Sequence, residues 1–410
     1  MSRPLFNPFS ERFRANPYET YAVLRREPVF RALGMVIVTR HPEVKAVLRD
    51  RRFSSALIPM LVGRRLQEFG MQCPEVAELG NKAIVFTDPP DHSRLRRLAN
   101  RTFNAQGLQA LRPVATQLAR EHLDRHARDG GDFVQGVSRP LPLKLLLSWM
   151  DIDFSHMETV AALNHDVRYF LEPGAVTREQ FAHVYDSLKR FLDFFRGYIA
   201  PRQQRPGQDF ISLLLSPEGA QDGFTPDEVA YMCVMAFVAG AETTQALLGT
   251  AMFLLASHPD QYGKLLSGAV SASQAAQEIL RFEAPLQMTK RLALEDMEVA
   301  GIAVRAQEQV LLCIGAANHD DGVFAAADSF DLQRGDSRQH LGFGYGAHAC
   351  LGAAMAEMQL EVLLEELVRR QLPLGVLEPP PWQKQSLIMR GLQSLLLDTR
   401  RWEMAVEHHR

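Results

Sequence analysis

The segment from Ala230 to Ala256 constrains the fold of this chain more than any other feature, because it is apolar on nearly every face of a helix. Its polar positions are Glu242, Thr243, Thr244, Gln245 and Thr250. The segment is long enough to span a bilayer, but a carboxylate at mid-span would cost about 3 kcal/mol in lipid. No Lys/Arg asymmetry flanks it, and a helix that is hydrophobic all round is also typical of the interior of a large soluble protein. We therefore predict a buried central helix and no membrane span.

The rest of the chain has mostly helical spacing, with short strands near its two ends. Helical patterns dominate from Pro90 to Leu266, with breaks at Gly130–Gly131, Pro173–Gly174 and Pro206–Gly207. Two shorter helices are predicted at Asn16–Glu27 and His41–Asp50. The predicted strands are Val29–Ala32, Met35–Thr39, Met288–Leu292, Met297–Ile302 and Ser386–Leu397. Because no repeat or long linker interrupts this order, we predict a mainly α fold with small β-sheets, formed as a single domain over residues 1–410.

Charge and cysteine usage exclude several classes of protein. The net charge of −3 at pH 7 argues against a nucleic-acid binder. The four cysteines form no C-x-x-C pair, which argues against a zinc site or a disulfide framework, and we expect Cys73, Cys233 and Cys313 to behave as small buried hydrophobes. The segment Met1–Ser10 contains no apolar core. It therefore predicts a cytoplasmic protein without a signal peptide or a membrane anchor.

The loop Phe343–Gly352, followed by a predicted helix at Ala353–Arg370, carries the most specific pattern in the chain. Gly344 and Gly346 can adopt positive φ, so the backbone can turn tightly beneath a flat ligand. Cys350 then lies at the start of the helix, where free N–H groups and the positive end of the helix dipole stabilise a thiolate. Alone this is weak evidence, since a glycine-rich turn with an incidental buried cysteine has the same appearance. The neighbours of the cysteine decide between these interpretations.

The other positions of the loop complete a ten-residue constellation. Gly352 would let the helix lie close against the ligand, and Phe343 would shield the sulfur from water. Every fixed position of the pattern F-G-x-G-x-H-x-C-x-G is matched, and in this the sequence resembles the cytochrome P450 superfamily. The resemblance implies that Cys350 is the metal ligand of a b-type heme. As the proximal axial ligand, the thiolate would favour O–O cleavage.

Glu278 and Arg281 place an acid and a base three residues apart on one helical face. As an exposed pair they would contribute little to stability. Their position upstream of the loop resembles the E-x-x-R motif of the same superfamily, in which a later arginine, here Arg334, joins a buried network. The resemblance implies a structural role, in which the loss of one member would cost about 3–5 kcal/mol because a buried charge is left unpaired.

Heme propionates need cationic partners, and four residues match those of the superfamily. His92 and Arg96 lie at i and i+4 in a segment similar to its D-P-P-x-H-x-x-x-R pattern. The resemblance adds Arg291 and His348 by position. The alternative is a solvated basic helix, a description that suits Arg94, Arg97 and Arg101. Such a basic patch would suit the docking of an acidic ferredoxin.

Distal-side chemistry is predicted from the stretch Ala239-Gly240-Ala241-Glu242-Thr243 in the central helix. Gly240 removes bulk where dioxygen would lie, and an acid followed by an alcohol makes a proton relay from solvent. The alternative is polar content tolerated in a core helix, but a buried, unpaired Glu242 would be costly, which favours function. The superfamily carries a similar A-G-x-[DE]-T motif, so Glu242 and Thr243 are the predicted catalytic residues. Ala239 and Gly240 are predicted to contact the heme.

Substrate contacts follow from the resemblance by position. The matching residues are Met60, Leu61, Phe170, Ala236, Phe237, Leu286, Met288, Leu387 and Ile388. They are mostly apolar, which suits a hydrophobic pocket, although each is equally typical of plain core.

The predicted function is that of a heme-thiolate monooxygenase that inserts one oxygen atom of O2 into an apolar small organic substrate, by hydroxylation or epoxidation, in secondary metabolism or catabolism. Electrons would come from NAD(P)H through a separate ferredoxin and ferredoxin reductase, since no flavin or iron–sulfur segment is fused. We expect a monomer with no nucleic-acid or membrane partner. Two alternatives stay open: a heme-thiolate enzyme of non-insertion chemistry (peroxide use, coupling or isomerisation), and a heme-based gas or ligand sensor.

Overall fold

The computed structural model describes residues 6–103, 105–172, 174, 176–216, 223–400 and 402, with the backbone alone at residues 105 and 106. Its helices are α1 (Glu11–Ala15), α2 (Tyr18–Leu24), α3 (His41–Arg49), α4 (Leu57–Phe69), α5 (Pro74–Ala77), α6 (Leu79–Lys82), α7 (Asp91–Thr102), α8 (Ala105–Asp129), α9 (Pro140–Trp149), α10 (Met157–Val167), α11 (Arg178–Gln204), α12 (Phe210–Leu215), α13 (Pro226–Ser257), α14 (Pro259–Leu266), α15 (Ala272–Phe282), α16 (Ile314–Ala317) and α17 (Ala353–Arg370). Its strands are β1 (Val29–Ala32), β2 (Met35–Val38), β3 (Phe53–Ser54), β4 (Met288–Ala293), β5 (Met297–Val299), β6 (Ile302–Val304) and β7 (Gln309–Cys313). The prediction of a mainly α fold with small sheets is confirmed.

The strands form one five-stranded sheet and one hairpin. The larger sheet has the order β1-β2-β7-β4-β3, and β5 pairs with β6. β1 and β2 are antiparallel and joined by Leu33 and Gly34, whose φ angles of 53° and 71° are both positive, as a type I′ turn requires. β2 runs parallel to β7, and β7 runs antiparallel to β4. The sheet therefore unites strands from the two ends of the chain.

The described chain groups into two compact units, each assembled from separated segments. One unit comprises Met1–Phe53, Arg112–Pro142 and Thr243–Arg410. Because side chains alternate across a sheet, Val36 and Val38 of β2 enter one buried cluster, whereas Ile37 enters another. This unit therefore has core on both faces of the larger sheet.

The other unit comprises Ser54–Leu111 and Leu143–Glu242, and its interior is rich in aromatic rings. Phe191 and Phe195 on α11 have ring centroids 5.2 Å apart. Trp149 and Phe210 have centroids 4.1 Å apart. Aromatic pairs at such separations add to the stabilisation that burial of their area supplies.

The single domain predicted from the sequence stays a prediction.

The central helix is the predicted one, extended by a few residues at each end to Pro226–Ser257. Thr225 and Glu228 form a capping box at its start, with hydrogen bonds of 2.8 and 3.2 Å. It is the one helix, in the part of the chain that the structure describes, whose length and hydropathy would allow a membrane span. Of its most apolar window, 67% is buried inside the protein. Its composition is therefore that of a core helix.

The predicted breaks and most predicted elements are present, with a few differences. α2 is shorter than predicted, β2 ends at Val38, and β7 was not predicted at all. The predicted single strand Met297–Ile302 is wrong, because a turn divides it into β5 and β6. Of the predicted break at Pro173–Gly174, Pro173 lies outside the described residues; α10 ends before it and α11 begins after it.

The predicted strand Ser386–Leu397 is wrong: this part of the chain makes isolated bridges, among them Leu286 with Met389 and Trp382 with Leu392. Its Gly391 lies so close to Ala246 that an added Cβ would be 2.7 Å from the alanine Cβ. The segment therefore turns against α13, where a regular strand could not follow it.

Candidate active site

The cysteine loop, Phe343–Gly352, is closed by its own backbone. The N–H of Cys350 donates a hydrogen bond of 2.8 Å to the carbonyl of Phe343. Gly344 and Gly346 have φ angles of 68° and 76°, which places both in the left-handed region as their sequence predicts. The side chain of Cys350 is exposed, whereas Cys73, Cys233 and Cys313 are buried as expected. Of the four cysteines, Cys350 alone is thus exposed.

This loop is seated against the end of α3. A Cβ at Gly346 would lie 2.8 Å from the carbonyl oxygen of Leu48, closer than real Cβ contacts allow. Beside it, the ammonium group of Lys45 lies 4.6 Å from the ring centroid of Tyr345, a cation–π distance. Glycine is therefore required at position 346 by space as well as by backbone conformation.

The helix after the loop, α17, begins at Ala353 as predicted. Gly352 is the N-cap of α17 and its carbonyl accepts 3.0 Å hydrogen bonds from the N–H of Met355 and of Ala356. Cys350 therefore lies two residues before the cap and not at the helix start itself. A Cβ added at Gly352 would meet no heavy atom within 4 Å. The space above this glycine suits the close approach of a flat ligand.

A histidine that the sequence did not single out shapes the entry to the loop. The N–H of Gly342 donates to Nδ1 of His340 at 3.1 Å, so Nε2 carries the proton and faces Oε1 of Gln277 at 3.2 Å. Burial, aided by the charge of Arg281, lowers the pKa of His340 to about 4. Its ring also lies 5.7 Å from that of Phe343. A neutral histidine therefore anchors the start of the loop.

The predicted structural network is assembled in the core. Glu278 and Arg281 have fully buried side chains and form an ion pair of 2.7 Å. Arg334, 6% exposed, approaches the other carboxylate oxygen of Glu278 at 3.3 Å. Ser337 donates to Glu278 at 2.8 Å, and Arg281 donates to the Asn318 carbonyl at 2.9 Å. Both charges are thereby paired and hydrogen-bonded, as burial demands.

His92 and Arg96 share one face of α7, as their spacing predicts. His92 is buried, and burial, followed by the charge of Arg96, lowers its pKa. Arg94 departs from the predicted solvated basic helix, because it is 30% exposed and ion-paired with Glu228. The charge of Arg94 is thus paired within the protein. Arg97 and Arg101 are exposed residues of the same helix.

Arg291 and His348 lie in the same unit as the cysteine loop. Arg291 is on β4 opposite Val310, 8% exposed, and donates to the carbonyl of Lys290 at 2.8 Å. His348 ends the short 3-10 turn Gly346–His348 and is partly exposed. The structure thus places one of these predicted propionate ligands on a strand and the other within the loop itself.

One side of the central helix is less buried than the rest. Ala236, Ala239, Gly240 and Thr243 follow the i, i+3, i+4, i+7 spacing of one helical face, and each is partly or fully exposed. Thr244, by contrast, is 4% exposed. The geometry therefore makes Thr243 the accessible alcohol of the pair.

Glu242 differs from its prediction as a buried, unpaired carboxylate. Its side chain is 26% exposed, and its Oε2 lies 3.0 Å from Nε of Arg168. Its Oε1 lies 3.9 Å from Nδ1 of His165. The cost of an unpaired buried charge, which supported a functional role from sequence, therefore does not apply. Neither partner carried a sequence signal, because both belong to a segment that is distant along the chain.

The nine predicted substrate contacts divide into core and partly exposed residues. Phe170, Phe237 and Met288 are at most 2% exposed and pack as core. The others, Met60, Leu61, Ala236, Leu286, Leu387 and Ile388, are all partly exposed. Only this second group has apolar surface to offer a substrate.

Comparison with known proteins places these features in a family. The family model for cytochrome P450 matches residues 148–267 and 272–389. The chain is 32% identical to 6-deoxyerythronolide B hydroxylase of Saccharopolyspora erythraea, over 94% of this chain and 96% of that protein. The solved structure of CalO2 matches with a TM-score of 0.88 and 29% identity, covering 96% of this chain and 98% of the other. A structure of P450BioI in complex with hexadec-9Z-enoic acid ligated acyl carrier protein matches with a TM-score of 0.86 and 27% identity, covering 94% and 99%.

Proposed function

The chain belongs to the cytochrome P450 family, and on that premise we propose that Cys350 is the thiolate ligand of its heme iron. The protein is a monooxygenase that acts on organic substrates, with heme b, O2 and electrons from NAD(P)H delivered by redox partners. The observation that carries the ligand assignment is that Cys350 is exposed and lies in a loop closed by the 2.8 Å hydrogen bond from its N–H to the carbonyl of Phe343. The open space at Gly352 also fits a porphyrin.

The remaining heme contacts are proposed from residue chemistry. Propionates are carboxylates, so cationic or N–H donors suit them. We assign this role to His92, Arg96, Arg291 and His348, and contact with the porphyrin to Phe343, Gly344, Gly352, Ala239 and Gly240. Bound heme supplies the iron that activates dioxygen.

The chain's own residues would manage the protons that the reaction consumes. Thr243 is the accessible alcohol on the less buried side of α13, and Glu242 precedes it with a partly exposed carboxylate. An acid linked to solvent can give a proton to the alcohol, and the alcohol can hold it at the reacting oxygen. We propose Glu242 and Thr243 as this relay.

The substrate we propose is an apolar small organic molecule of secondary metabolism or catabolism. Six partly exposed apolar residues support it: Met60, Leu61, Ala236, Leu286, Leu387 and Ile388. The names of the matched proteins include 6-deoxyerythronolide B hydroxylase and a complex with a fatty acid ligated to acyl carrier protein. Macrolactones, free fatty acids and carrier-bound acyl chains are therefore the substrate classes to compare.

The redox partner we propose is an acidic ferredoxin with its reductase, because Arg97 and Arg101 are exposed on α7. The protein would act as a soluble, monomeric, cytoplasmic enzyme. The 67% burial of the most apolar window of α13 supports a core helix over a membrane span.

The test is a two-stage assay of the heme-loaded protein. The three substrate classes are first screened for a shift of the ferric heme toward high spin. Compounds that give the shift are then turned over with NAD(P)H, a ferredoxin system and isotopically labelled O2. One labelled oxygen atom in the product supports the proposal. A spin shift without label in any product, or turnover that occurs with peroxide and not with NAD(P)H and O2, contradicts it.

A further inference from the structure

Two cations of one helical segment bracket the carboxylate of Glu242. Arg168 approaches Oε2 at 3.0 Å, and His165 approaches Oε1 at 3.9 Å. His165 is in the last turn of α10 and Arg168 follows the helix directly. They are three residues apart, so both side chains point to the same side of this segment. Glu242 is thus held between a guanidinium and an imidazole.

These two cations differ in what they can do. An arginine keeps its charge at any physiological pH, so Arg168 can hold the carboxylate but cannot give it a proton. A histidine titrates near neutral pH and can both accept and donate. Arg168 is 18% exposed, whereas His165 is 58% exposed. His165, which can exchange a proton, is therefore also the more exposed of the two residues.

The monooxygenase reaction makes a proton supply necessary. Each turnover takes up O2, two electrons and two protons, and returns oxidised substrate and one water. A carboxylate that gives a proton to its neighbour must be reprotonated from solvent before the next transfer. Glu242 itself is only 26% exposed, and its Oε2 is engaged by Arg168.

We propose that His165 is the solvent-side proton donor to Glu242, an inference that rests on the relay role proposed above for Glu242. The proton on Nδ1 of His165 passes to Oε1 of Glu242, and the imidazole recovers a proton from water. Rotation of the exposed ring closes the 3.9 Å gap between the two atoms. His165 acts through Glu242 and touches neither substrate nor heme.

The electrostatic surroundings of His165 support a donor that is charged near neutral pH. Its pKa is raised, chiefly by the interaction with the facing carboxylate of Glu242 and also by the charge of Asp166, whereas burial and Arg168 oppose the shift. On α11, His183 faces the same neighbourhood, but it pairs with Asp166 at 3.0 Å. The raised pKa keeps the imidazolium form present to higher pH, and its proton-donating form is lost as pH rises through that value.

The first experiment measures the protonation of His165 directly. Ring resonances are followed against pH by NMR in the diamagnetic ferrous carbonyl form of the holoenzyme, in the natural protein and in Glu242→Gln. We expect a His165 pKa above the ordinary value of about 6.5 that falls toward it in Glu242→Gln. An unchanged pKa in Glu242→Gln would show that the two groups do not interact, and would overturn the proposal.

A second experiment measures proton delivery without a known substrate. With NADPH and a surrogate ferredoxin system, the holoenzyme reduces O2 either to H2O2, with two electrons and two protons, or to two waters, with four of each. In the natural protein the share of O2 released as H2O2 should rise with pH as His165 loses its proton. In His165→Gln we expect that share to be about threefold higher at neutral pH and independent of pH, a smaller effect than loss of a direct acid.

The matched control is His183→Gln, which removes another exposed histidine, one that is 65% exposed and pairs with Asp166 of α10 and not with Glu242. It should keep the pH profile of the natural protein. A His165→Gln profile that coincides with the natural one would refute the inference. The ferrous carbonyl spectrum of each variant distinguishes this outcome from a failure of the heme-thiolate proposal. The red-shifted band should be present in every one of these variants. Only a failure of thiolate ligation would remove it.

Discussion

Thr243 and Thr244 are adjacent on α13, yet only the first faces the less buried side of the helix. Thr243→Ala should therefore lower the product formed per NAD(P)H by about tenfold, while O2 consumption continues, because the alcohol that holds the proton is lost. The matched variant Thr244→Ala removes the 4% exposed hydroxyl and should change coupling little. Product, NAD(P)H and O2 measured together give the result. Equal coupling in both variants would remove Thr243 from the relay.

His340 predicts a stability that depends on pH. Its folded-state pKa of about 4 lies below the ordinary value of about 6.5, so the unfolded chain binds the extra proton more readily. The free energy of unfolding should therefore not depend on His340 above about pH 6.5, and should decline as the pH falls toward 4. We expect a loss of about 2 kcal/mol, because the ring is partly exposed and solvent reduces the effect. Denaturant unfolding of the natural protein and of His340→Gln between these pH values measures the difference. The same dependence of the unfolding free energy on pH in both proteins would contradict this role of His340.

At the scale of single residues, the sequence singles out candidate side chains but not the partners that they contact. Cys350, Thr243 and the Glu278–Arg281 pair were identified because their spacing along the chain is itself the signal. The partners of Glu242 and Arg94 were missed, because each belongs to a segment remote in sequence. The sequence argument for Glu242 assumed a buried carboxylate without a partner. That assumption was wrong, because the partners of Glu242 lie in a segment remote in sequence.

Among elements, the cysteine loop depends on how closely it approaches α3. Gly346→Ala places a Cβ 2.8 Å from the carbonyl oxygen of Leu48 and also holds an alanine at positive φ. Gly344→Ala carries the same φ penalty, but the nearest atom to its Cβ is 3.8 Å away. Gly344→Ala should cost about 1 kcal/mol of unfolding free energy, and Gly346→Ala about 2–3 kcal/mol. Denaturant unfolding of both variants isolates the contact. Equal losses would show that backbone conformation alone matters here.

The buried network joins α15 to the segment around Arg334. Glu278→Gln leaves Arg281 and Arg334 without their common carboxylate and should lower the unfolding free energy by about 3–5 kcal/mol. The exposed pair Arg65–Glu68, with side chains 38% and 56% exposed, supplies the control. Glu68→Gln should change stability by less than about 0.5 kcal/mol. A similar loss in both variants would contradict a special role for the buried pair.

Elements with strong periodicity were predicted well, and those set by tertiary contact were not. α13 and α17 follow from long hydrophobic patterns, and α17 has the predicted bounds Ala353–Arg370. β7 is short and pairs in parallel with β2, a partner far away in sequence. The segment Ser386–Leu397 has strand-like composition, but contact with α13 at Gly391 sets its conformation.

For the whole molecule, electrostatic docking of an electron donor is the testable consequence of the basic helix α7. Arg97→Glu and Arg101→Glu reverse two exposed charges and should slow reduction by an acidic ferredoxin about tenfold at low salt, with a smaller difference at high salt because charges are screened. Stopped-flow reduction over a salt series measures both effects. Rates that do not change with either variant would place the docking surface elsewhere.

Family membership was evident from the sequence because a single ten-residue loop contains several spaced constraints at once. The division of the chain into two compact units was not, since each unit is assembled from segments far apart in sequence. Substrate identity depends on side chains from several such segments, of which three predicted members, Phe170, Phe237 and Met288, are core. Local sequence patterns carry little information about which side chains from separate segments contact a substrate.

The central claim is that the sulfur of Cys350 is bonded to the heme iron, and the spectrum of the ferrous carbonyl complex tests it most directly. The natural protein loaded with heme should show the red-shifted Soret band of thiolate ligation. Cys350→Ser should lose that band, while Cys73→Ser, a change at a buried cysteine, should retain it. Persistence of the band in Cys350→Ser, or its absence from the natural protein, would contradict the account.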